Sequence, residues 1–579
     1  MESSGKPYSR AHNLLYGIPA LLGCLFFIFA GVAFLGRLGI ENDEALFAGA
    51  FLKPYGEAYT VRIGHSRIPL MVMTYIGTLK AWLYRPLMSV FGTNLTVLRL
   101  PMILAGAASI WLFFRLLDRI AGRRAAVIGC TLLAADATYL LTVTFDWGPV
   151  AMQHLLIVAG WLLLVRFYQV RQLPALFWGC CLLGLAMWDK ALAVWMLSGT
   201  GVALLVVFPR RLWALVNGQR IAIAAFGFLL GILPLLVYNA ENQWATFVGN
   251  VNRDTSDIPG KARILMETAK GDGLFGWMFD EQWQTPKPHA PSGVIERTSA
   301  EISSVFGHPR RHWLFYAFVL ALLLTPLARG DALRAIFFAL LAMAVAWIEM
   351  ATNASTGGSV HHTILLWPLP QMVVAVSFAA ASRWLGRAGI PLIAAATAAM
   401  FLSGILVANE YFFTCYRFGG ASFWSEAVFP LSDYLKTAGD ATVYCVDWGM
   451  FDALRYLNHG HLKLRVGSDP ISKKELTPDD REAVRRILAD PGGIFVAHTK
   501  DFENFQGTNQ RLKTFAAAEG YRLNMLTVIS DRYSRPAFEV YRMLAPDEEH
   551  RSLAAAAQRG LRPCQIQPRE TVSTGLCRP

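Results

Sequence analysis

The run LLYGIPALLGCLFFIFAGVAFL, residues 14–35, decides the class of fold, and GIENDEA, residues 39–45, shows where to look for chemistry. The first stretch has no charged side chain and is long enough to cross a bilayer as a helix, which takes about 20 residues. It exceeds a signal h-region and lacks a small-x-small cleavage site before Asp43, so it reads as a retained signal anchor. The second stretch carries Glu41, Asp43 and Glu44. Charge at a membrane boundary is costly unless water or chemistry claims it. The cluster reads as a general base, its proton affinity raised beside apolar surface. It reads equally as a helix start, with Asn42 or Asp43 capping Glu44 to Phe51. The two readings are compatible.

Similar runs recur to about residue 410. Hydrophobic residues make up 54% of the 579 and charged ones 16%, against about 25% charged in soluble domains. This is the pattern of a polytopic α-helical membrane protein. About 11 spans are expected, near 14–36, 96–117, 125–143, 149–168, 174–188, 191–208, 221–239, 313–328, 335–352, 362–382 and 390–408. Arginines cluster at alternate connections: 115–124, 166–171, 210–220, 329–334 and 383–387. The connections Asp146-Trp147-Gly148 and 353–359 carry no Lys or Arg. The positive-inside bias then sets the amino terminus in the cytoplasm. The first loop (37–95), a second large loop (240–312) and everything after about 410 lie outside, as in a bacterial inner membrane. That bias also accounts for the net charge of +12. No basic tract interleaved with aromatics points to nucleic acid.

Two segments test the topology. Residues 68–91 are fairly apolar, but Val72, Ile76, Leu79, Leu83, Leu87 and Val90 form one helical stripe and Lys80 and Arg85 interrupt it, which suits a helix lying in the interface. Residues 174–208 are interrupted by Asp189-Lys190 and read as a hairpin of two short helices. The membrane part thus spans 1–410. Residues 430–545 alternate strand and helix patterns, which predicts a small α/β domain. The tail, 546–579, reads as loosely ordered. Cys24, Cys130, Cys180 and Cys181 lie in apolar runs as core residues. Cys415, Cys445, Cys564 and Cys577 lie in the outer part, where a disulfide is open and Cys564 with Cys577 is the easiest loop to close.

Further candidates lie at the outer edge. Asp146 either pairs with a first-loop cation or caps the helix beginning at Pro149. Lys190, next to Asp189, either belongs to a structural pair or neutralises a lipid phosphate. Lys53, Arg62, His65 and Arg67 run against the positive-inside bias. They suit an anionic partner, a solvated face or lipid headgroups. His361 and His362 cannot share a helix face as a metal pair, but each can bind a hydroxyl or phosphate, or simply sit in the interface. The loop 271–283, with Trp277, Asp280, Glu281 and Trp283, reads as a lid over a sugar or as an interfacial helix.

In order along the chain, these features resemble the GT-C membrane glycosyltransferases, in the branch of the protein O-mannosyltransferases and lipid A aminoarabinose transferases. Asp43-Glu44-Ala45 is like that family's Asp-Glu-Ala first-loop motif. Arg99-Leu100-Pro101 is like its Arg-Leu-Pro/Ser opening of the second span, and Asp146 falls at its second acidic position. Gly184 to Lys190 is like its Gly-Leu-Ala-x-x-x-Lys segment, and His362 to Pro370 like its His-Tyr-x-x-x-x-x-Pro region. Where the family has His-Pro-Pro or Lys-Pro-Pro, this chain has His65-Ser66-Arg67-Ile68-Pro69-Leu70.

The resemblance implies a polyprenyl-phosphate-linked sugar donor, used outside with inversion on an envelope lipid, glycan or protein acceptor. Asp43 is then the base, with Glu44 beside it. Lys190 and the cations Arg62, His65 and Arg67 hold the donor phosphate, with Asp146, His361 and His362 in the substrate site. No cofactor is required, and the role of a divalent metal is left open. Three other readings stay open: a glycan ligase using a diphosphate-linked lipid, a secondary transporter with a soluble domain, and an assembly or sensor protein.

Overall fold

The computed structural model describes residues 10–279 and 288–545, without the side chains of residues 10–16 and Phe423. Expectations for Asp280, Glu281, Trp283, Cys564, Cys577 and the 546–579 tail lie outside the described residues.

Seven helical segments among the described residues are long and apolar enough to cross a membrane. They are Gly17–Phe34, Leu95–Ala121, Val150–Val170, Gly218–Glu241, Asp331–Ala351, Val360–Trp384 and Gly386–Phe418. A further candidate is a pair, Arg123–Ala134 and Ala137–Thr144, bent by 61°. Shorter apolar helices are Leu173–Asp189, Ala193–Val207 and Leu314–Leu327. These segments fall where the sequence places its spans, and 174–208 is indeed split at Lys190. The last helix continues to Phe418, beyond the expected 408, and takes Cys415 into the buried core as a free thiol.

The bend has a local cause. Asp136 starts the second half of the pair, its carboxylate accepting from Tyr139 N at 2.9 Å. Trp367 Nε1 and Gln371 Nε2 donate to its other oxygen at 2.7 and 3.0 Å. A buried acid is tolerated because its hydrogen bonds are made. They also tie the bend to the helix after Trp367.

In lipid, close backbone approach replaces the hydrophobic drive between helices, so small residues mark the contacts. Leu173–Asp189 meets Gly218–Glu241 in this way. A Cβ on Gly184 would come within 2.3 Å of Phe228 O, and one on Gly231 within 2.2 Å of Cys181 O. Gly231→Leu is therefore expected to push the helices apart and cost about 1–3 kcal/mol, the usual range for overpacking. Thermal unfolding in detergent reads the loss. Gly201→Leu, where a Cβ meets nothing within 4 Å, is the control.

The first loop opens with the helix Asn42–Ala48. Three antiparallel strands follow, β1 (Tyr59–Ile63), β2 (Ser66–Met73) and β3 (Ile76–Gly77), and then the helix Leu79–Phe91. This corrects the expected interfacial helix over 68–91, whose first third is strand. Gly64, at φ +60°, turns the chain so that Ile63 pairs with Ser66 and Arg62 with Arg67. That two-residue turn is a hairpin signal, and pairing on both sides of β2 overrides the helical stripe. Leu79–Phe91 does keep an exposed apolar face with Trp82, Leu83, Val90 and Phe91.

The C-terminal part is an α/β domain. Its strands are β4 (Thr442–Cys445), β5 (Lys463–Val466), β6 (Ile494–His498), β7 (Arg522–Ser530) and β8 (Pro536–Leu544). They lie in the order β5-β4-β6-β8-β7, with β5, β4 and β6 parallel and β8 antiparallel to both of its neighbours, β6 and β7. Tyr444, Phe495 and Tyr541 stack across its face, with ring centroids 5.4 and 5.7 Å apart. The domain is sewn to the membrane part: Tyr533 OH donates to Tyr416 O at 3.0 Å, and Gly39 N to Trp424 O at 2.9 Å.

Candidate active site

The acidic stretch forms a helix start, but its cap lies ahead of both expected options, Asn42 and Asp43. Glu41 is the cap residue and accepts from Asp43 N at 2.8 Å and Glu44 N at 3.4 Å. Its carboxylate is fully buried. Burial, then the Asp43 charge, pushes its proton affinity well above the ordinary value.

Glu44 turns inward to Arg99. Arg99 Nε and Nη2 reach its two oxygens at 2.7 and 2.9 Å. The remaining donors of Arg99 go to Leu35 O at 2.5 Å, Leu38 O at 3.1 Å and Gly39 O at 2.7 Å. All five N–H groups of the guanidinium are used. Arg99 is 0% and Glu44 1% exposed. The pair thus locks the turn between the first span and the Asp43 helix onto the next span.

Asp43 remains half-buried. Burial pushes its carboxyl up to about 6, with Asp452 adding to the rise while Lys190 and Lys80 oppose it. The two lysines come from different elements. Lys80, from Leu79–Phe91, is 1% exposed, and its Nζ donates to Asp146 Oδ2 at 2.6 Å and to Glu44 O at 3.4 Å. Lys190 lies in the short link after Leu173–Asp189, and its Nζ donates to Gly148 O at 2.7 Å. β3 holds that link: Ile76 bridges Lys190, and Ala191 N donates to Tyr75 O at 2.9 Å.

Asp146 shows both geometries expected of it. It pairs with a first-loop cation, Lys80, and its Oδ1 accepts from Ala151 N at 2.9 Å in the first turn of the next helix. Its φ of 43° is in the left-handed region, which Asp tolerates better than most residues but which is still sparsely populated. Such a residue persists only where its surroundings fix it, here through both carboxylate oxygens.

An aromatic wall adjoins Lys190. Trp147 packs on His361 with centroids 4.4 Å apart, and His361 on His362 at 4.1 Å. His361 Nδ1 pairs with Ser359 Oγ at 2.8 Å. Trp277 stacks on the other indole at 5.7 Å. Gly148 must lack a side chain here, since a Cβ would come within 2.6 Å of His361 and 3.1 Å of Lys190 Nζ.

The structure therefore gathers Asp43, Asp146 and Lys190, with His361 beside Gly148. The first-loop cations are placed differently. Arg62 and His65 are exposed at the hairpin tip. Arg67 is engaged by Glu57 and Thr60 and lies over the Tyr55 ring. Among the described residues, no three His, Cys, Asp or Glu side chains gather as a metal site would need. Sequence reasoning missed Lys80, although a lysine interrupting an apolar helical stripe was its visible signal. It also missed Asp452, which no local pattern marks.

The family model for dolichyl-phosphate-mannose-protein mannosyltransferases matches residues 77–238, a stretch that holds Lys80, Arg99, Asp146 and Lys190. Among solved structures, ArnT from Cupriavidus metallidurans bound to undecaprenyl phosphate has a TM-score of 0.52 at 15% identity, over 92% of this chain and 98% of that one. Its apo state gives 0.50 at the same identity and coverage. The Archaeoglobus fulgidus oligosaccharyltransferase in its apo form gives 0.49 at 12% identity, over 85% and 70%. No curated protein matches the chain by sequence. The chain is thus an integral membrane protein with the GT-C fold, a polytopic helical body followed by a smaller sheet domain. The resemblance seen in the sequence to the mannosyltransferase and ArnT branch holds at this level.

Proposed function

We propose that the chain is a glycosyltransferase that moves a sugar from a polyprenyl-phosphate donor to an envelope lipid, glycan or protein on the outer face of the bacterial inner membrane. The observation that carries this reading is the meeting of half-buried Asp43 with Lys80 and Lys190 at one site. A base of raised proton affinity and cations for a phosphate are what this chemistry needs. The mannosyltransferase family match and the ArnT fold support it.

In the proposed reaction Asp43 takes the proton from the acceptor hydroxyl or amine. The acceptor atom bonds to the anomeric carbon from the face opposite the phosphate. The bond from that carbon to the phosphate oxygen breaks, inverting the centre and releasing polyprenyl phosphate. Lys190 neutralises the departing charge, with Lys80 behind it and Asp146 keeping Lys80 in place. Electrostatic stabilisation of this kind is worth most in a site prepared for it. Glu44 acts through Arg99 as a positioning residue. His361 and His362 border the phosphate side. Arg62, His65 and Arg67 act from the hairpin, in the first encounter with an anionic donor.

Mass spectrometry of envelope glycans and glycolipids from cells with and without the gene tests the reading. A sugar-bearing species that disappears with the gene, with polyprenyl monophosphate as the released lipid, is the expected result. An unchanged glycan profile contradicts it, and a released diphosphate favours the ligase. Lys190→Met is expected to weaken binding of undecaprenyl phosphate about 10–100-fold, as loss of a charge-assisted hydrogen bond worth about 1.5–3 kcal/mol implies. Titration of nanodisc-embedded protein with undecaprenyl phosphate reads it. Cysteines placed within 430–545 are expected to react with an impermeant maleimide on the periplasmic side, before lysis of spheroplasts.

A further inference from the structure

The helix Val150–Val170 begins directly after the turn that carries Asp146 and Gly148. Just inside its start it buries two adjacent polar side chains, Gln153 at 1% and His154 at 3% exposure. Gln153 Nε2 donates to Lys190 O at 3.1 Å. Lys190 is thus held at both ends by one short stretch of chain, its ammonium at Gly148 O and its backbone at Gln153. His154 reaches to a different element. Its Nε2 lies 3.0 Å from Ile364 O, and its Nδ1 lies 2.7 Å from Val150 O, one turn back in its own helix. A carbonyl oxygen only accepts, so the ring nitrogen facing Ile364 is the donor. Ile364 directly follows the short helix Val360–Thr363, which carries His361 and His362. The Tyr139 ring stands nearly perpendicular to the imidazole, with centroids 5.2 Å apart, and backs it from the side.

Stability alone does not explain Gln153. Its Oε1 is buried and has no hydrogen-bond partner among the described residues. A stranded acceptor costs free energy that an apolar side chain of the same length would spare. What the amide supplies is a fixed place for Lys190. We propose that Gln153 and His154 are positioning residues for the transfer reaction: Gln153 fixes the backbone of Lys190 and His154 that of the His361–His362 segment, so that one helix start sets the spacing of the two walls between which the donor phosphate binds. This rests on Lys190 holding that phosphate. Asp146, bonded to Ala151 N at the head of the same helix, holds Lys80, so both lysines and the histidine segment take their places from residues 146–154. Cations preset in this way need no rearrangement when charge develops on the leaving group.

The test compares two lipids that differ only in the phosphate, undecaprenyl phosphate and undecaprenol, titrated into the full chain in nanodiscs. The ratio of their dissociation constants reports the phosphate interaction alone. Methionine fills about the length of either side chain without a donor. Gln153→Met and His154→Met are each expected to lower the ratio about 2–10-fold, the size of one net hydrogen bond. His154→Gln, whose amide nitrogen reaches the place of Nε2, is expected to recover most of the loss seen in His154→Met. A role in folding alone would weaken both lipids alike and leave the ratio where it was. An unchanged ratio in either Met variant, or His154→Gln no better than His154→Met, overturns the proposal. If one Met variant does not fold, the other decides. If neither folds, Gln153→Asn decides, since its shorter amide falls short of Lys190 O: a lowered ratio supports the proposal and a natural one overturns it. An unchanged ratio in Lys190→Met would instead remove the phosphate assignment itself, whatever the variants at 153 and 154 do.

Discussion

Asp43→Asn is expected to lower sugar transfer by about 10²–10⁴-fold, the range that a positioned general base contributes, while binding of undecaprenyl phosphate is kept. The amide nearly preserves the shape of the carboxylate and cannot accept the acceptor's proton. Among the described residues Asp43 makes no ion pair, unlike Glu44, so the variant should express and unfold like the natural protein. The pH profile gives the same claim a second signature. The base works deprotonated, and burial pushes Asp43 up to about 6. Transfer is therefore expected to be full above about pH 7, half-lost near pH 6 and to fall about tenfold for each unit below. A normal rate in Asp43→Asn, or a profile flat through pH 5, would assign the proton to another group.

Arg99→Met is expected to produce the largest loss of stability. It strips Glu44 of its bidentate partner and leaves the carbonyls of Leu35, Leu38 and Gly39 without their donor. Breaking a buried ion pair by removing one member costs about 3–5 kcal/mol, because the other charge stays buried and unpaired. Arg99→Lys is expected to rescue little, since an ammonium has three donors and no planar fork to match the carboxylate. The yield of folded protein and thermal unfolding in detergent give the measurement. The double change Arg99→Met with Glu44→Gln should recover part of the loss, since it removes the stranded charge. If Arg99→Met unfolds within a degree or two of the natural protein, the lock on the first loop is not structural.

Much of this was readable from residues, in proportion to how locally each feature is determined. Apolar length gives the spans almost by itself, because the bilayer imposes it. Alternation of strand and helix patterns likewise marks the C-terminal domain, whose strands β4 and β6 are Thr442–Cys445 and Ile494–His498. The first loop was harder. Val72 and Ile76 fit a helical stripe, and only the pairing of β2 with strands on both sides decides against it. The site divides in the same way. Asp43, Asp146 and Lys190 announce themselves as charges next to apolar runs. Lys80 reads from sequence only as an interface residue, because its partner Asp146 lies 66 residues on. Glu44 looked equivalent to Asp43 until the distant Arg99 claimed it. Asp452 comes from more than 400 residues away, and such a contact exists only once the chain has folded.

The most direct measurement is an electron cryomicroscopy structure of the Asp43→Asn protein in nanodiscs with an undecaprenyl-phosphate monosaccharide bound. The phosphate is predicted within hydrogen-bonding reach of Lys190 Nζ, with the side chain at position 43 facing the anomeric carbon from the opposite side. A phosphate bound away from Lys190, or a sugar shielded from position 43 by other side chains, would contradict the account.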